Sequence, residues 1–157
     1  MSLADEYVTA RRSEDLARLR RAIALRALVE SGLSQRQIAE KLGISQPAVS
    51  QQLRSSPDLR SYPAREVLEA AAPVLKELAR EHGFSRLAVF GSIARGKSGP
   101  RSDIDLIVRA PRGTSSLGMV KFQRLVEAVL NRKVDLIEYG GLKQGIDDDI
   151  RREAVLL

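Results

Sequence analysis

The segment VFGSIARGKSGPRSDIDLIV, residues 89–108, constrains this chain more than any other part of it. The run RLAVF (86–90) is short and apolar enough for a buried strand, Gly91-Ser92 interrupts it, and ten residues later Asp103-Ile104-Asp105 opens DIDLIVR (103–109), an alternating strand. Residues i and i+2 of a strand share a face, so Asp103 and Asp105 project together. Two carboxylates ~4 Å apart repel by roughly 4 kcal/mol at an effective dielectric near 20, a sizeable fraction of the ~5–15 kcal/mol that holds a small domain together. A divalent cation removes that cost, and hard oxygen donors beside a phosphate suit Mg²⁺. The rest of the segment suits the phosphate. Gly91 lets the backbone approach closely, Ser92 offers a hydroxyl and an N–H at the start of a short helix, and Arg95, Lys97 and Arg101 add positive charge. A third short strand, KVDLI (133–137), sets Asp135 opposite its apolar neighbours Val134 and Leu136, where it would complete a three-carboxylate, two-metal site.

The surrounding pattern reads as a small α/β layer domain. Ala64 to Glu81 is helical, interrupted or restarted at Pro73 and closed by Gly83. Leu117 to Leu130 is an amphipathic helix between the second and third strands, and Asp147 to Leu156 a final helix. Alternative chemistries lack parts: with no Cys and one His, disulfides, thiolate nucleophiles, Cys zinc sites and His clusters are excluded. The net charge of +6 favours an anionic partner. No stretch is long and apolar enough to cross a membrane and no secretory signal is visible, so no membrane partner and a cytoplasmic location are expected.

The first part of the chain carries a different logic. Leu16, Leu19, Ile23 and Ala27 recur at helical spacing until Ser31-Gly32, and two short helices follow. Ser34 can cap the first with Gln37 in a capping box, Gly43 supplies the positive φ of a tight turn, Ser45 caps the second helix and Pro47 fits its first turn. Ile38, Ala39 and Leu42 should face inward, Ile44 should plug the corner, and Val49 and Leu53 should form a buried pair. Gln46, Pro47, Ser50 and Gln51 remain on an outward, uncharged face suited to base edges in the major groove, with Arg36 and Arg54 placed for phosphates. Ser and Pro in SSPDLRSYP (55–63) mark a linker, which divides the chain into 1–62, an all-α helix-turn-helix domain, and 63–157. Charge does not mark this boundary, since each part carries a net +3.

Two resemblances follow from these residues. Residues 33–54 with their flanks resemble the helix-turn-helix of phage-repressor-like (XRE) regulators, which implies duplex operator DNA as partner and a homodimer on it. Gly91-Ser92, Asp103-x-Asp105 and Asp135 resemble the nucleotidyltransferase superfamily related to DNA polymerase beta, in particular the minimal nucleotidyltransferases that act as antitoxins beside HEPN ribonuclease toxins. That resemblance implies a small mixed sheet in an α/β (α+β) domain. It also implies Mg²⁺ held by Asp103, Asp105 and Asp135, the ATP triphosphate bound by Gly91 and Ser92 with help from Arg95 and Lys97, and an acceptor hydroxyl activated by Asp135. Ile93 departs from the polar or aromatic residue of many members. With 63–157 taken up by the catalytic core, the acceptor is expected to bring its own surface, and the resemblance implies a tyrosine of the HEPN toxin. The alternative is a transcription regulator whose second domain binds nucleotide or toxin without catalysis. His82 is expected at a helix end, Asp147 to Asp149 in a solvated helix start, and Tyr139-Gly140-Gly141 in a turn.

Overall fold

The computed structural model describes all of residues 1–157. A long helix α1 (Leu3–Glu30) is followed by α2 (Gln35–Leu42), α3 (Gln46–Arg54), a 3₁₀ turn at Leu59–Ser61 and α4 (Ala64–Glu81). Then come β1 (Ser85–Phe90), a short α5 (Gly91–Ala94), β2 (Ile104–Arg109), α6 (Ser116–Leu130), β3 (Val134–Glu138), a 3₁₀ turn at Tyr139–Gly141, α7 (Asp148–Glu153) and β4 (Val155–Leu156). No helix is long and apolar enough to cross a membrane.

The sheet is mixed, in the order β3-β2-β1-β4. β1 runs antiparallel to both β2 and β4, while β2 and β3 are parallel and joined by α6. Alternation divides the sheet into two faces. Leu87, Val89, Ile104, Leu106, Val108, Val134 and Leu136 point into the main core, where α4 and α6 supply Leu75, Leu78, Phe122 and Val126. Asp105 and Asp135 therefore leave by the other face.

The main core does not stop at the Ser/Pro-rich linker. Leu19, Ile23 and Ala27 of α1 belong to it, and so does Leu59, almost fully buried in the 3₁₀ turn. The far end of α1 gives Leu25 to a second, smaller cluster with Ile38, Ala39 and Val49. One helix thus belongs to both cores.

Several expectations need correction. Pro73 neither interrupts nor restarts α4, which is continuous. Its ring removes the N–H that Glu69 would have received, and one residue on, the Ala70 carbonyl accepts a bond from Arg20 Nε at 3.1 Å. The last helix stops at Glu153, and Val155-Leu156 instead pairs with Ala88-Val89 as an edge strand. α1 begins at Leu3, thirteen residues before its apolar pattern, because that first half is exposed and held by a capping box between Ser2 and Asp5. Leu42 and Ile44 stay exposed, at 48% and 37%, since the small cluster closes over Ile38 and Val49 without reaching them.

Candidate active site

Three strands deliver their polar residues to one end of the sheet. Phe90, the last residue of β1, lies opposite Asp105, and the parallel register of β2 and β3 puts Asp105 beside Asp135. Gly91 turns the chain there with φ +73°, and a Cβ at that position would collide with Asp105 Oδ2. The left-handed backbone and the missing side chain are both required, one for the turn and one for the contact. Ser92 follows, half-buried in the first turn of α5. The loop closes as Lys97 N–H donates to the Ser92 carbonyl at 2.8 Å.

This crowding is visible in the electrostatics. The Asp105 carboxyl is held above the ordinary aspartate range, first by partial burial, then by the charge of Asp135 and a hydrogen bond with it, then by Asp103; Arg95 pulls the other way. Asp103 precedes β2, and its Oδ2 lies 3.9 Å from Lys133 Nζ. No three acidic or histidine side chains converge closely enough to form a ready metal cage. Asp105 and Asp135 are brought together, and Asp103 stays near enough for its charge to act on Asp105. The donor set nonetheless fits a hard divalent cation: it is all carboxylate, and like charges already disfavour the ionised form of Asp105.

The cationic residues divide. Lys97 is exposed and has no carboxylate partner, whereas Arg95 Nη1 contacts both oxygens of Glu153 at 3.2 and 3.1 Å. Glu153 and Lys133 were not expected at the site. Lys133 could have been found, because it stands two residues before Asp135 in the KVD pattern; Glu153 is 58 residues from Arg95 and left no local signal. His82, the Asp147–Asp149 run and Tyr139 are accounted for locally. His82 ends α4 and packs against Phe122, with ring centroids 5.8 Å apart. Asp147 and Asp148 accept from the backbone N–H groups of Lys143 and Gly145. Tyr139, whose hydroxyl donates to the Arg86 carbonyl, lies at the opposite end of the sheet.

A family model described as "Nucleotidyltransferase domain" matches residues 73–157, the part that carries all of these groups. The chain belongs to that family. Nucleotidyltransferase relatives include protein adenylyltransferase MntA of Thermococcus cleftensis, 36% identical over 80 residues, which make up 51% of this chain and 81% of that one. A Methanocaldococcus jannaschii protein, provisionally named a protein adenylyltransferase, is 34% identical over 90 residues, covering 57% of this chain and 92% of its own. A solved structure described provisionally as a minimal nucleotidyltransferase superposes with a TM-score of 0.53 at 33% identity, over 66% of this chain and 99% of that one.

In this nucleotidyltransferase the N-terminal helices match a second model, "Homeodomain-like domain", over residues 15–56. Ser34 and Gln37 form the expected capping box, Gly43 ends α2 at φ +66°, and Ser45 Oγ accepts from Ala48 N–H at 3.2 Å. Gln46, Pro47 and Gln51 are exposed and Ser50 is half-buried. Arg54 donates to Gln51 Oε1 at 3.1 Å, and Arg36 lies 3.9 Å from Glu40 in an exposed pair that is easily broken.

Proposed function

We propose that this nucleotidyltransferase is a protein adenylyltransferase that moves AMP from ATP to a tyrosine hydroxyl of a HEPN ribonuclease toxin. Its helix-turn-helix represses its own operon by binding operator DNA as a homodimer. In this reading residues 1–62 read DNA and 63–157 carry the chemistry. The observation that supports catalysis best is the contact between the Gly91 backbone and the Asp105 carboxylate beside Asp135, because it sets an anion-binding turn against an acidic pair. The names of the relatives support a protein acceptor. The toxin and the tyrosine rest on the resemblance to minimal nucleotidyltransferases.

Gly91 and Ser92 bind the triphosphate, Lys97 neutralises it, and Arg95 exchanges Glu153 for a phosphate oxygen. Asp103, Asp105 and Asp135 would hold Mg²⁺, whose charge offsets that of the phosphates. Asp103 leaves Lys133 to join them. The acceptor oxygen forms a bond to the α-phosphorus, its proton passes to Asp135, and the bond to the bridging oxygen of pyrophosphate breaks as pyrophosphate leaves.

Intact-mass measurement of the partner co-expressed with this chain tests the reading, with added AMP groups as the expected result. Asp135→Asn should keep most ATP affinity and lose at least ~10²-fold in transfer rate, as for a missing general base. Asp103→Ala should lose ATP binding and transfer together. Full transfer by either variant overturns the mechanism, and a tightly bound but unmodified partner favours the non-catalytic regulator.

A further inference from the structure

Beside Asp103 lies a hollow of about 360 Å³ whose lining is polar or charged apart from Pro100. Arg101 reaches it from the approach to β2, Asn131, Arg132 and Lys133 from the approach to β3, and Arg60 from the 3₁₀ turn; Asp103 is its single acidic group. An adjoining hollow of about 390 Å³ shares Arg60, Asn131, Arg132 and Lys133 and adds Arg124, with Glu127 as its one acidic group.

Part of this charge has a structural use. Arg60 Nε donates to the Asn131 carbonyl at 3.4 Å, and Arg132 donates to the carbonyls of Pro100, Leu59 and Tyr62 at 3.3, 3.1 and 2.8 Å. These bonds cap α6 and fasten the linker. They leave the positive charge itself unbalanced, since neither guanidinium meets a carboxylate, and burial, followed by the charge of Arg60, holds Arg132 below its usual range. Arg101 is exposed and makes no hydrogen bond or ion pair, so the structure has no use for it. The set is therefore short of negative charge, and an anionic ligand would balance it.

The strand order gives the hollow its place in the reaction. With β3-β2-β1 as neighbours, Gly91-Ser92 follows β1 while the hollow is lined by the residues that lead into β2 and β3, and it meets the acidic group at Asp103. If the nucleotide occupies the turn, the hollow is left for the acceptor. We propose that this hollow binds a carboxylate-rich segment of the acceptor protein next to the hydroxyl to be modified, a proposal that rests on the adenylyltransferase reading above. A carboxylate entering it meets Lys133, whose existing contact with Asp103 is an exposed pair at 3.9 Å and easily exchanged.

The test uses the full chain and two short fluorescent peptides, each with one tyrosine, flanked by Glu in one and by Gln in the other. At low salt the Glu peptide should bind about tenfold more tightly. Arg101→Glu alters an exposed side chain without partners and so spares the fold; it should erase most of the preference, and Arg60→Glu added to it the remainder. Equal binding of the two peptides, a preference that survives both substitutions, or variants that lose duplex DNA while keeping the peptide would each overturn the proposal. The two readings fail differently. A Glu peptide bound with the expected preference but never adenylylated overturns the transferase reading and with it the acceptor role, whereas transfer to both peptides at equal rates overturns the acidic-segment proposal alone.

Discussion

Gly91 and Gly43 have nearly the same backbone, φ +73° and +66°, and entirely different surroundings. A side chain at Gly91 would strike the Asp105 carboxylate, while one at Gly43 would meet nothing within 4 Å. The first glycine stands where β1 leaves the main cluster of 25 buried residues; the second joins two helices over a cluster of four. Chemistry on phosphate needs groups fixed to within a fraction of an ångström, and the larger core supplies that rigidity. Reading DNA needs a shallow exposed face that adjusts on contact, and a small cluster can carry it.

The comparison breaks most readily at Gly91. Gly91→Ala should displace Asp105 and lower transfer by at least ~10²-fold, as expected when reacting groups shift by about 1 Å, and DNA affinity in a gel-shift assay should not change. A variant with normal transfer would show that the close approach is dispensable. Gln46→Ala with Gln51→Ala should cost roughly 1–3 kcal/mol per lost base contact, reduce discrimination between operator and random DNA, and leave the salt dependence of binding and ATP affinity unchanged. Uniform weakening on all sequences would place the reading residues elsewhere. Gly43→Ala meets only backbone strain and should lower stability by about 1–2 kcal/mol, measured by denaturant unfolding, without loss of transfer.

The smallest effect concerns Asp105. Folding raises its pKa, so its ionised form costs stability; the cost grows as pH rises through that raised value and disappears below the unfolded one. Without metal, Asp105→Asn should therefore raise Tm by about 1–3 °C at neutral pH, with no gain in acid. A Tm that falls at neutral pH would mean that the carboxylates are not in conflict. Nothing comparable is expected of the uncharged face of α3.

What the sequence disclosed follows the range of the interactions. β1, β2, β3 and α6 start within one residue of their expected bounds, because alternation and helical periodicity are local signals. The capping box of Ser34 and Gln37 and the turn at Gly43 are local too. β4 was missed because a two-residue strand has no periodicity, and its pairing with Ala88-Val89 spans most of the second domain. At the site, the facing of Asp105 and Asp135 followed from alternation within each strand. The ion pairs of Asp103 with Lys133 and of Arg95 with Glu153 did not, because each joins segments that only the completed sheet brings together. Ser2 and Asp5 were a legible helix start, obscured by the lack of apolar residues in the half-helix that follows.

The sharing of α1 between the two cores bears on how such a gene can be cut and joined. Residues 63–157 produced alone would lose Leu19, Ile23, Ala27 and Leu59 from the sheet's helical layer, leaving apolar side chains of α4 and α6 open to water. A workable recombination joint lies just past Ala27, provided that Leu59 is kept with the catalytic core; the incoming helices must then pack on Leu25 as Ile38, Ala39 and Val49 do. A different DNA-reading module could be grafted after that point with the catalytic layer intact, whereas exchange at the Ser/Pro-rich segment would remove a wall of the enzyme along with the module.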